Sequence, residues 1–291
     1  MTLAAPTIPG PDPHTRRPAL EFPRGACDCH AHVFGPQARF PYAAKRGYTP
    51  PDAPTADYVR MLRTIGCERA VLVQPSVYGT DNRCLVQALD SGAFEFRGVA
   101  VIDDATGDDE LEAMHRAGVR GVRLNLATRG STVDLGAAPR IAARIAALGW
   151  HLQLYLDVRR LPDVDRELTR LSVDIVIDHF GHVAAADGVD APGFQTLLRL
   201  ARHERCWFKL IGPYRISSQP PRFADTVPLA RALVAAAPDR CVWGTDWPHP
   251  NTAWMPNDGD LADLVTDWLP DEAVRTRVLR DNPARLYGFP R

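Results

Sequence analysis

Short apolar runs recur along the chain from residue 26 onward, and each is followed by a loop and then by a segment of helical periodicity. The runs predict buried strands, and the periodic segments predict amphipathic helices. The predicted strands occupy residues 26–34, 70–75, 96–102, 119–125, 151–157, 173–180, 206–212 and 240–246. The predicted helices occupy residues 57–64, 82–91, 108–117, 135–148, 161–171, 193–203, 223–237, 261–269 and 271–281.

Strands that alternate with helices form a parallel sheet. Eight such units in about 250 residues are the size of a (β/α)8 barrel. The pattern therefore predicts an α/β protein with a single TIM barrel at residues 24–291 and a Pro-rich N-terminal arm at residues 1–23. A doubly wound open sheet is the alternative fold, but no Gly-x-Gly-x-x-Gly motif follows the first strand. In a barrel, function gathers at the C-terminal ends of the strands.

The charge balance of the chain limits its partners. Its 291 residues include 34 Lys and Arg and 35 Asp and Glu, a formal net charge of −1. This balance argues against nucleic acid or an anionic membrane as the main partner. No apolar run approaches the roughly 20 residues of a membrane span, and the first 25 residues lack the apolar segment of a signal peptide. The six cysteines include no Cys-x-x-Cys pair, so we expect reduced thiols and a cytoplasmic location.

The first predicted strand carries alternating polar residues. Asp28, His30 and His32 are spaced two apart, which predicts that they share one strand face. Two histidines at this spacing, at the C-terminal end of a strand, can converge on one metal ion or one substrate oxygen. A pair of hydrogen-bonded core histidines is the alternative interpretation.

Two further strand ends carry residues of the same kind. His179 lies where the sixth apolar run gives way to a loop, Asp246 ends the eighth run, and His249 follows in the loop beyond. A carboxylate in that position can take a proton from water as a general base, although it could instead cap the next helix. Because polar residues occupy three strand ends on the same predicted rim, we expect them to form one active site.

Several residues on that rim are suited to binding an anion. Arg123 and Asn125 lie on one face near the end of the fourth strand, Arg129 follows in the loop, and Arg215 comes just after the seventh strand. Arginine binds carboxylates through two parallel hydrogen bonds. Several arginines on one rim predict a substrate with more than one acid group, whereas ion pairing at the surface is the alternative for each of them.

The fifth strand alternates leucines with polar residues, which predicts that Gln153 and Tyr155 face the barrel axis. Lys209 lies in the seventh strand and is one of only two lysines in the chain. Its face is not settled by the pattern, and we expect a structural role for it.

Four motifs together resemble the amidohydrolase superfamily. They are Asp-Cys-His-Ala-His at 28–32, Ile-Asp-His at 177–179, Trp-Gly-Thr-Asp-Trp-Pro-His at 243–249 and Asn-Pro-Ala-Arg-Leu-Tyr-Gly at 282–288. The resemblance runs from residue 27 to residue 289 and is nearest to the lactonase branch that opens 2-pyrone-4,6-dicarboxylate in the catabolism of aromatic compounds. The segments 34–36, 40–42, 48–53, 73–82 and 212–215 resemble this branch in particular.

The resemblance implies a reaction and separate roles for the site residues. The product of 2-pyrone-4,6-dicarboxylate opening would be 4-oxalomesaconate, and the lactonase branch works without a metal or other cofactor. A carboxylate matching Asp246 activates water, and histidines matching His30, His32 and His179 surround the lactone carbonyl. Residues implied to hold the acid groups of the substrate are Tyr48, Arg123, Arg129, Tyr155, His182 and Arg215, and His249 supports the end of the eighth strand.

One position departs from the lactonase pattern. His182 stands where the pattern has an arginine, so a weaker and pH-dependent cation replaces a permanent one. The substrate could therefore be another acidic lactone, such as a muconolactone, a sulfomuconolactone or a sugar-acid lactone.

Two other functions stay open from the residues alone. A mononuclear zinc lactonase or decarboxylase would use His30, His32, His179 and Asp246 as ligands, whereas the lysine bridge of two-metal superfamily members is not available because the fourth strand has no lysine. A binding protein without catalysis is the third interpretation. Association into a homo-oligomer is an open expectation.

Overall fold

The computed structural model describes residues 5–126, 135–161, 163–252 and 254–290. Its strands pair in parallel and in chain order, each with the next, which confirms the predicted α/β barrel. The strands are β1 Cys27–Ala31, β2 Arg69–Val73, β3 Glu95–Ala100, β4 Val119–Asn125, β5 His151–Tyr155, β6 Ile175–Ile177, β7 Cys206–Leu210 and β8 Cys241–Trp243.

Main-chain hydrogen bonds join the last strand segment to the first. The amide of Asp246 donates to the carbonyl of His30 at 2.8 Å, and the amide of His32 donates to the carbonyl of Trp247 at 2.7 Å. The sheet is therefore a nearly closed barrel, and the alternative of an open, doubly wound sheet is wrong. The closure also brings the C-terminal ends of β1 and β8 side by side.

Helices surround the strands, and large aliphatic side chains fill the layer between them. The first helix ends at Gly66 and the third at Gly118, both with a positive φ, as is typical of helix C-termini. The helices are α1 Thr55–Ile65, α2 Arg83–Asp90, α3 Asp108–Ala117, α4 Ala138–Ala146, α5 Val164–Leu168, α6 Pro192–Ala201, α7 Val227–Ala236, α8 Asp258–Trp268, α9 Glu272–Thr276 and α10 Asn282–Tyr287.

Most strands are shorter than the sequence pattern predicts, and β6 and β8 are the shortest. β6 and β8 contain three residues each, whereas the apolar runs continue for several residues more. The backbone leaves the sheet because His179 has φ 47° and Asp246 has φ 69°, in the left-handed region. Non-glycine residues in that region are uncommon and concentrate at functional sites. The predicted helix at 271–281 is likewise divided, into α9 and a π-helical turn at Arg277–Asp281.

The C-terminal helix α10 closes the N-terminal end of the barrel. Leu286, Tyr287 and Phe289 pack against inward-facing strand residues such as Val71 and Trp207. The guanidinium of Arg69, Arg97 and the amide of Asn282 bind main-chain carbonyls around this closure. A ligand can therefore reach the barrel interior from the opposite, C-terminal end.

His151 lies inside this closed end and is buried against the ring of Tyr287, with ring centroids 5.3 Å apart. A Cβ at residue 121 would lie 2.4 Å from the imidazole, so the close packing requires Gly121. Neither ring nitrogen has a hydrogen-bond partner among the described residues. Burial, aided by Lys209, lowers the pKa of His151 to about 3.

His151 makes the stability of the fold depend on pH. Below pH 6.5 the unfolded chain protonates this imidazole but the folded chain does not until about pH 3, so stability falls as the pH falls through this window. We expect His151→Leu to reduce that loss by on the order of 1 kcal/mol per pH unit. Urea unfolding at pH 7, 5.5 and 4.5 measures it, with His14→Leu in the exposed arm as control. Equal slopes in both variants would contradict the prediction.

The described part of the N-terminal arm packs against the barrel. The amide of Ile8 donates to the carbonyl of Thr49 at 3.1 Å, in the loop after β1, and Arg16 forms ion pairs with Asp260 and Asp263 of α8. The arm therefore connects the loop after β1 with α8. The division of the chain into an arm and a barrel domain stays a prediction.

All six cysteines are buried and have free thiols. Among the described residues, the helices are too short or too polar to span a membrane.

Candidate active site

Three histidines and one carboxylate meet where the C-terminal ends of β1, β6 and β8 adjoin. The Oδ1 atom of Asp246 lies 3.7 Å from Nε2 of His30, 3.7 Å from Nε2 of His32 and 3.9 Å from Nε2 of His179. All four side chains are buried, and Oδ1 has no hydrogen-bond partner among the described residues. The structure thus brings together the four residues that the sequence predicted for catalysis.

A bulge in β1 determines which of its polar residues join this group. The register with β2 shifts between Asp28 and Ala31, and this breaks the alternation of the strand. The prediction that Asp28 shares a face with His30 and His32 is therefore wrong. The carboxylate of Asp28 instead accepts hydrogen bonds from Tyr58 of α1 and from Thr245.

The far oxygen of Asp246 is held by two residues from the turn after β7. Its Oδ2 atom accepts hydrogen bonds from the hydroxyl of Tyr214 at 2.7 Å and from Nε of Arg215 at 2.8 Å. Burial raises the pKa of Asp246, but the charge of Arg215, the nearby His30 and His32 and the hydrogen bond from Tyr214 together outweigh burial, and the pKa falls to about 2. Asp246 is therefore an anion at neutral pH, with one oxygen fixed and the other facing the histidines.

The three histidines are neutral. Burial, assisted by the charge of Lys209, lowers the pKa of His30 to about 4, and burial also lowers the pKa of His32 and of His179 well below its ordinary value. The Nδ1 atom of His32 lies 2.7 Å from the carbonyl of Val73 and carries the proton, because a carbonyl only accepts. The Nε2 atom of His32 is consequently a bare acceptor.

His179 owes its position to the turn after β7. A Cβ at residue 212 would lie 2.8 Å from the Nδ1 atom of His179, and residue 212 has φ 59°, so only glycine fits there. The ring of Tyr155 packs edge-on against His179 at 5.4 Å. The imidazole is thereby clamped between β5 and the turn that also carries Arg215.

A second buried carboxylate lies beneath the first. The Oδ2 atom of Asp178 accepts hydrogen bonds from Nε of Arg123 at 3.1 Å and from Nε2 of Gln153 at 3.0 Å. Its Oδ1 atom lies 3.5 Å from Nδ1 of His30 and 3.7 Å from Nζ of Lys209. Burial raises the pKa of Asp178, but His30, Arg123 and Lys209 together lower it by more. The pKa of Asp178 is therefore below its ordinary value.

A cavity of about 270 Å³ opens beside the histidines. Tyr155, Arg215 and His182 line it, together with the Asp157–Arg159 ion pair at its rim. Burial lowers the pKa of His182 to about 4, and its Nε2 atom has no hydrogen-bond partner among the residues described. At neutral pH this imidazole therefore offers hydrogen bonding but no charge.

Two more predicted substrate contacts lie near the cavity, and one cannot be placed. Burial raises the pKa of the Tyr48 hydroxyl to about 12, although Ser76 and the charges of Arg215 and Arg123 moderate the increase. Arg123 also stacks over the ring of Tyr155 at 4.7 Å. Arg129 lies outside the described residues.

The family model for amidohydrolases matches residues 27–289. The chain belongs to the amidohydrolase family. This confirms both the predicted family and the prediction that the protein is an enzyme, a hydrolase.

The amidohydrolase chain has similar relatives over almost its full length. It is 39% identical to a 4-sulfomuconolactone hydrolase of Hydrogenophaga intermedia, covering 98% of this chain and 95% of the relative. It is 40% identical to a 2-pyrone-4,6-dicarboxylate hydrolase of Comamonas testosteroni, covering 93% and 92%. A solved apo structure from Agrobacterium tumefaciens superposes with a TM-score of 0.85 and 31% identity, covering 94% of this chain and 99% of that one.

In this amidohydrolase, His249 is linked to Asp246 through Tyr214. Its Nδ1 atom lies 3.0 Å from the hydroxyl of Tyr214, and its Nε2 atom lies 3.1 Å from Oδ1 of Asp258. Both ring nitrogens therefore have protein partners. Asp258, His249, Tyr214 and Asp246 form one continuous series of hydrogen-bond contacts that ends at Oδ2 of Asp246.

Three buried side chains of this centre, those of His30, His32 and Asp246, form a group that could hold a metal ion. Donor atoms of His30, His32 and Asp246 lie within 4.8 Å of one another, and they are of the types that zinc prefers. His32 fits a metal site because its other nitrogen donates to a carbonyl, as metal-bound histidines usually do. His30 fits less well, because its Nδ1 atom lies closer to the ammonium of Lys209, at 3.2 Å, than to the carboxylate of Asp178, at 3.5 Å.

Sequence reasoning did not select four residues of this centre: Tyr214, Asp178, Lys209 and Asp258. Tyr214 directly precedes Arg215, and Asp178 directly precedes His179. Their positions next to selected residues were the signal that could have found them. Lys209 lies two residues after Trp207, which faces inward. Side chains two apart on a strand share a face, so this spacing is a weak signal that Lys209 also faces inward. Asp258 begins a helix, where an acidic residue has an ordinary explanation.

Proposed function

We propose that this amidohydrolase opens a carboxylated lactone by hydrolysis, and that 2-pyrone-4,6-dicarboxylate is the leading substrate with 4-oxalomesaconate as the product. The observation that carries the proposal is the free Oδ1 atom of Asp246, which is ionised, buried and faced by three neutral imidazoles. The names of the relatives support the substrate class.

In the proposed reaction, a water molecule attacks the lactone carbonyl and gives its proton to Oδ1 of Asp246. The bare Nε2 atom of His32 accepts a second hydrogen bond from that water and orients it. The carbonyl oxygen becomes an oxyanion, which N–H groups of His30 and His179 stabilise. The ring C–O bond then breaks, the proton passes from Asp246 to the departing enol oxygen, and the enol converts to the ketone.

The low pKa of Asp246 has a cost and a benefit. A carboxylate with a pKa of about 2 is a weak base, but it is also fully ionised in the free enzyme. Arg215 lowers this pKa and lines the cavity at the same time. We propose that a substrate acid group draws the charge of Arg215 away from Asp246, which raises the basicity of the carboxylate when the site is filled.

The acid groups of the substrate are proposed to bind along the cavity. Arg215 and Arg123 supply charge, and His182 supplies a neutral hydrogen bond. Both arginines are already paired with carboxylates, with Asp246 and Asp178 respectively. Tyr48, Tyr155 and Arg129 complete the proposed set, whereas His249 is proposed to act on Asp246 through Tyr214 because both of its ring nitrogens are occupied.

A second candidate is a mononuclear zinc enzyme, favoured by the convergence of His30, His32 and Asp246. When bound, the metal would supply Lewis acidity to the carbonyl oxygen. The contact between Lys209 and His30 favours the metal-free reaction instead.

A metal-removal experiment separates the two candidates. Enzyme dialysed against a strong chelator is mixed with 2-pyrone-4,6-dicarboxylate, and loss of the pyrone absorption band is followed. We expect kcat within about twofold of the untreated enzyme, because Asp246 and the imidazoles supply base and donors without a Lewis acid.

Other outcomes of the same experiment point elsewhere. Loss of turnover that zinc restores would support the metalloenzyme. If turnover is absent with and without zinc, a sulfomuconolactone and a sugar-acid lactone are tested next. The neutral His182 would then be the first residue to examine as the cause of a different substrate preference. Tight binding of a lactone without any turnover would support the binding protein.

A further inference from the structure

Lys209 lies on the barrel axis directly beneath the proposed reaction centre, and the proposed reaction assigns it no step. It belongs to β7, and its side chain is fully buried. Its Nζ atom lies 2.7 Å from Oε1 of Gln153, 2.9 Å from the carbonyl of Cys29 and 3.2 Å from Nδ1 of His30. A buried ammonium is costly unless it is paired and fully hydrogen-bonded, and these three contacts with nearby Asp178 meet that need.

In these three contacts, each partner of Lys209 must act as a hydrogen-bond acceptor. An ammonium has three N–H donors and no acceptor. The carbonyl of Cys29 only accepts, and Gln153 must also accept because its amide nitrogen already donates to Asp178 at 3.0 Å. The third N–H therefore points at Nδ1 of His30, which acts as the acceptor.

An acceptor at Nδ1 fixes the proton of the neutral imidazole on Nε2. The Nε2 atom of His30 is buried, has no hydrogen-bond partner among the described residues and lies 3.7 Å from Oδ1 of Asp246. Its N–H is thus directed into the space between the carboxylate and the other imidazoles. That space is where the proposed function places the lactone carbonyl.

The opposite tautomer has a competing stabilisation nearby. Oδ1 of Asp178 lies 3.5 Å from Nδ1 of His30 and has no hydrogen-bond partner among the described residues. A proton on Nδ1 could bond to this anion, which would leave Nε2 bare and remove a donor from the oxyanion. Without Lys209 the carboxylate would favour that arrangement.

We propose that Lys209 is a positioning residue that holds His30 in the tautomer protonated on Nε2 and so directs an N–H at the reacting carbonyl oxygen. The second half of this statement rests on the proposed function, whereas the tautomer itself does not.

The tautomer can be measured in the unaltered protein without substrate. Long-range ¹H–¹⁵N spectra of the histidine-labelled enzyme at pH 7.5 distinguish a protonated ring nitrogen from a bare one, and a His30→Gln variant identifies the His30 signals. We expect a proton on Nε2 and a bare Nδ1. A proton on Nδ1 would overturn the proposal, even if the lactone proves to be a substrate.

Lys209→Met tests the consequence, because methionine is unbranched and only one atom shorter than lysine but donates no hydrogen bond. We expect kcat to fall by about 100-fold or more, as for loss of one oxyanion donor, with KM nearly unchanged and the His30 proton moved to Nδ1. Lys45→Met, at the only other lysine and exposed, is the matched control.

Two results would overturn the role of Lys209. One is a folded Lys209→Met enzyme whose His30 keeps its proton on Nε2. The other is turnover within threefold of that of the control. If this variant does not fold, the spectra of the unaltered protein decide the tautomer alone. If the unaltered enzyme has the expected tautomer but opens no lactone, the proposed function fails and the tautomer assignment stands.

Discussion

Asp246→Asn is expected to lower kcat for lactone opening by about 1,000-fold or more while KM changes little. Removing a general base costs roughly 100- to 10,000-fold, and among the described residues of this site Asp246 is the carboxylate that faces all three Nε2 atoms. Tyr214 and Arg215 donate to the far oxygen of Asp246, so they would hold the asparagine oxygen and turn its NH2 group toward the imidazoles. An amide nitrogen cannot accept a proton from water.

The measurement is steady-state kinetics with loss of the pyrone absorption, together with the affinity for the product by calorimetry. Asp190→Asn, an exposed residue before α6, is the control and is expected to behave as the unaltered enzyme. Turnover by Asp246→Asn within tenfold of that control would remove Asp246 from the role of base.

Asp178→Asn is expected to destabilise the fold by about 3–5 kcal/mol, the typical cost of removing one partner from a buried ion pair. Asp178 is fully buried and lies against two buried cations, with Nε of Arg123 at 3.1 Å and Nζ of Lys209 at 3.7 Å. Asparagine can keep the hydrogen bond to Arg123, but it cannot balance either charge. The free energy of unfolding in urea measures the effect.

Asp165→Asn provides the matched control for that measurement. Asp165 accepts a hydrogen bond from Arg199 at 2.7 Å, but the pair lies at the protein surface. Surface ion pairs contribute about 0–1 kcal/mol. If the two variants lost similar amounts of stability, the barrel interior would be solvated enough to replace the Asp178 carboxylate, and the prediction that this carboxylate balances the buried charges of Arg123 and Lys209 would be wrong.

The barrel was predictable from the sequence because its periodicity is local. The apolar runs that form β1 to β8 and the amphipathic helices can each be recognised within about ten residues of sequence. Eight strand–helix repeats are compatible with few arrangements of a parallel sheet. The ends of β6 and β8 were not predictable. At His179 and Asp246 the backbone turns left-handed while the residues themselves remain buried, so the burial pattern continues beyond the strand.

Much of the site was also predictable, because a barrel brings all strand ends to one rim. His30, His32, His179 and Asp246 meet as their positions at strand ends required. Asp28 shows the limit of this reasoning. Its alternation with His30 is correct for a regular strand, but a bulge is decided by the closure against β8 and is not visible in the spacing.

The sequence by itself determined the fold class, the family and the residue types at the rim, because each depends on local pattern or on motifs. Only the tertiary structure decided which groups pair across the barrel. Lys209 and His30 are 179 positions apart, and Asp246 and Tyr214 are 32 apart. Hydrogen-bond partners at such separations are determined by how the closed barrel places its strands and loops beside one another, and they decide which oxygen of Asp246 is free and which nitrogen of His30 faces the lysine.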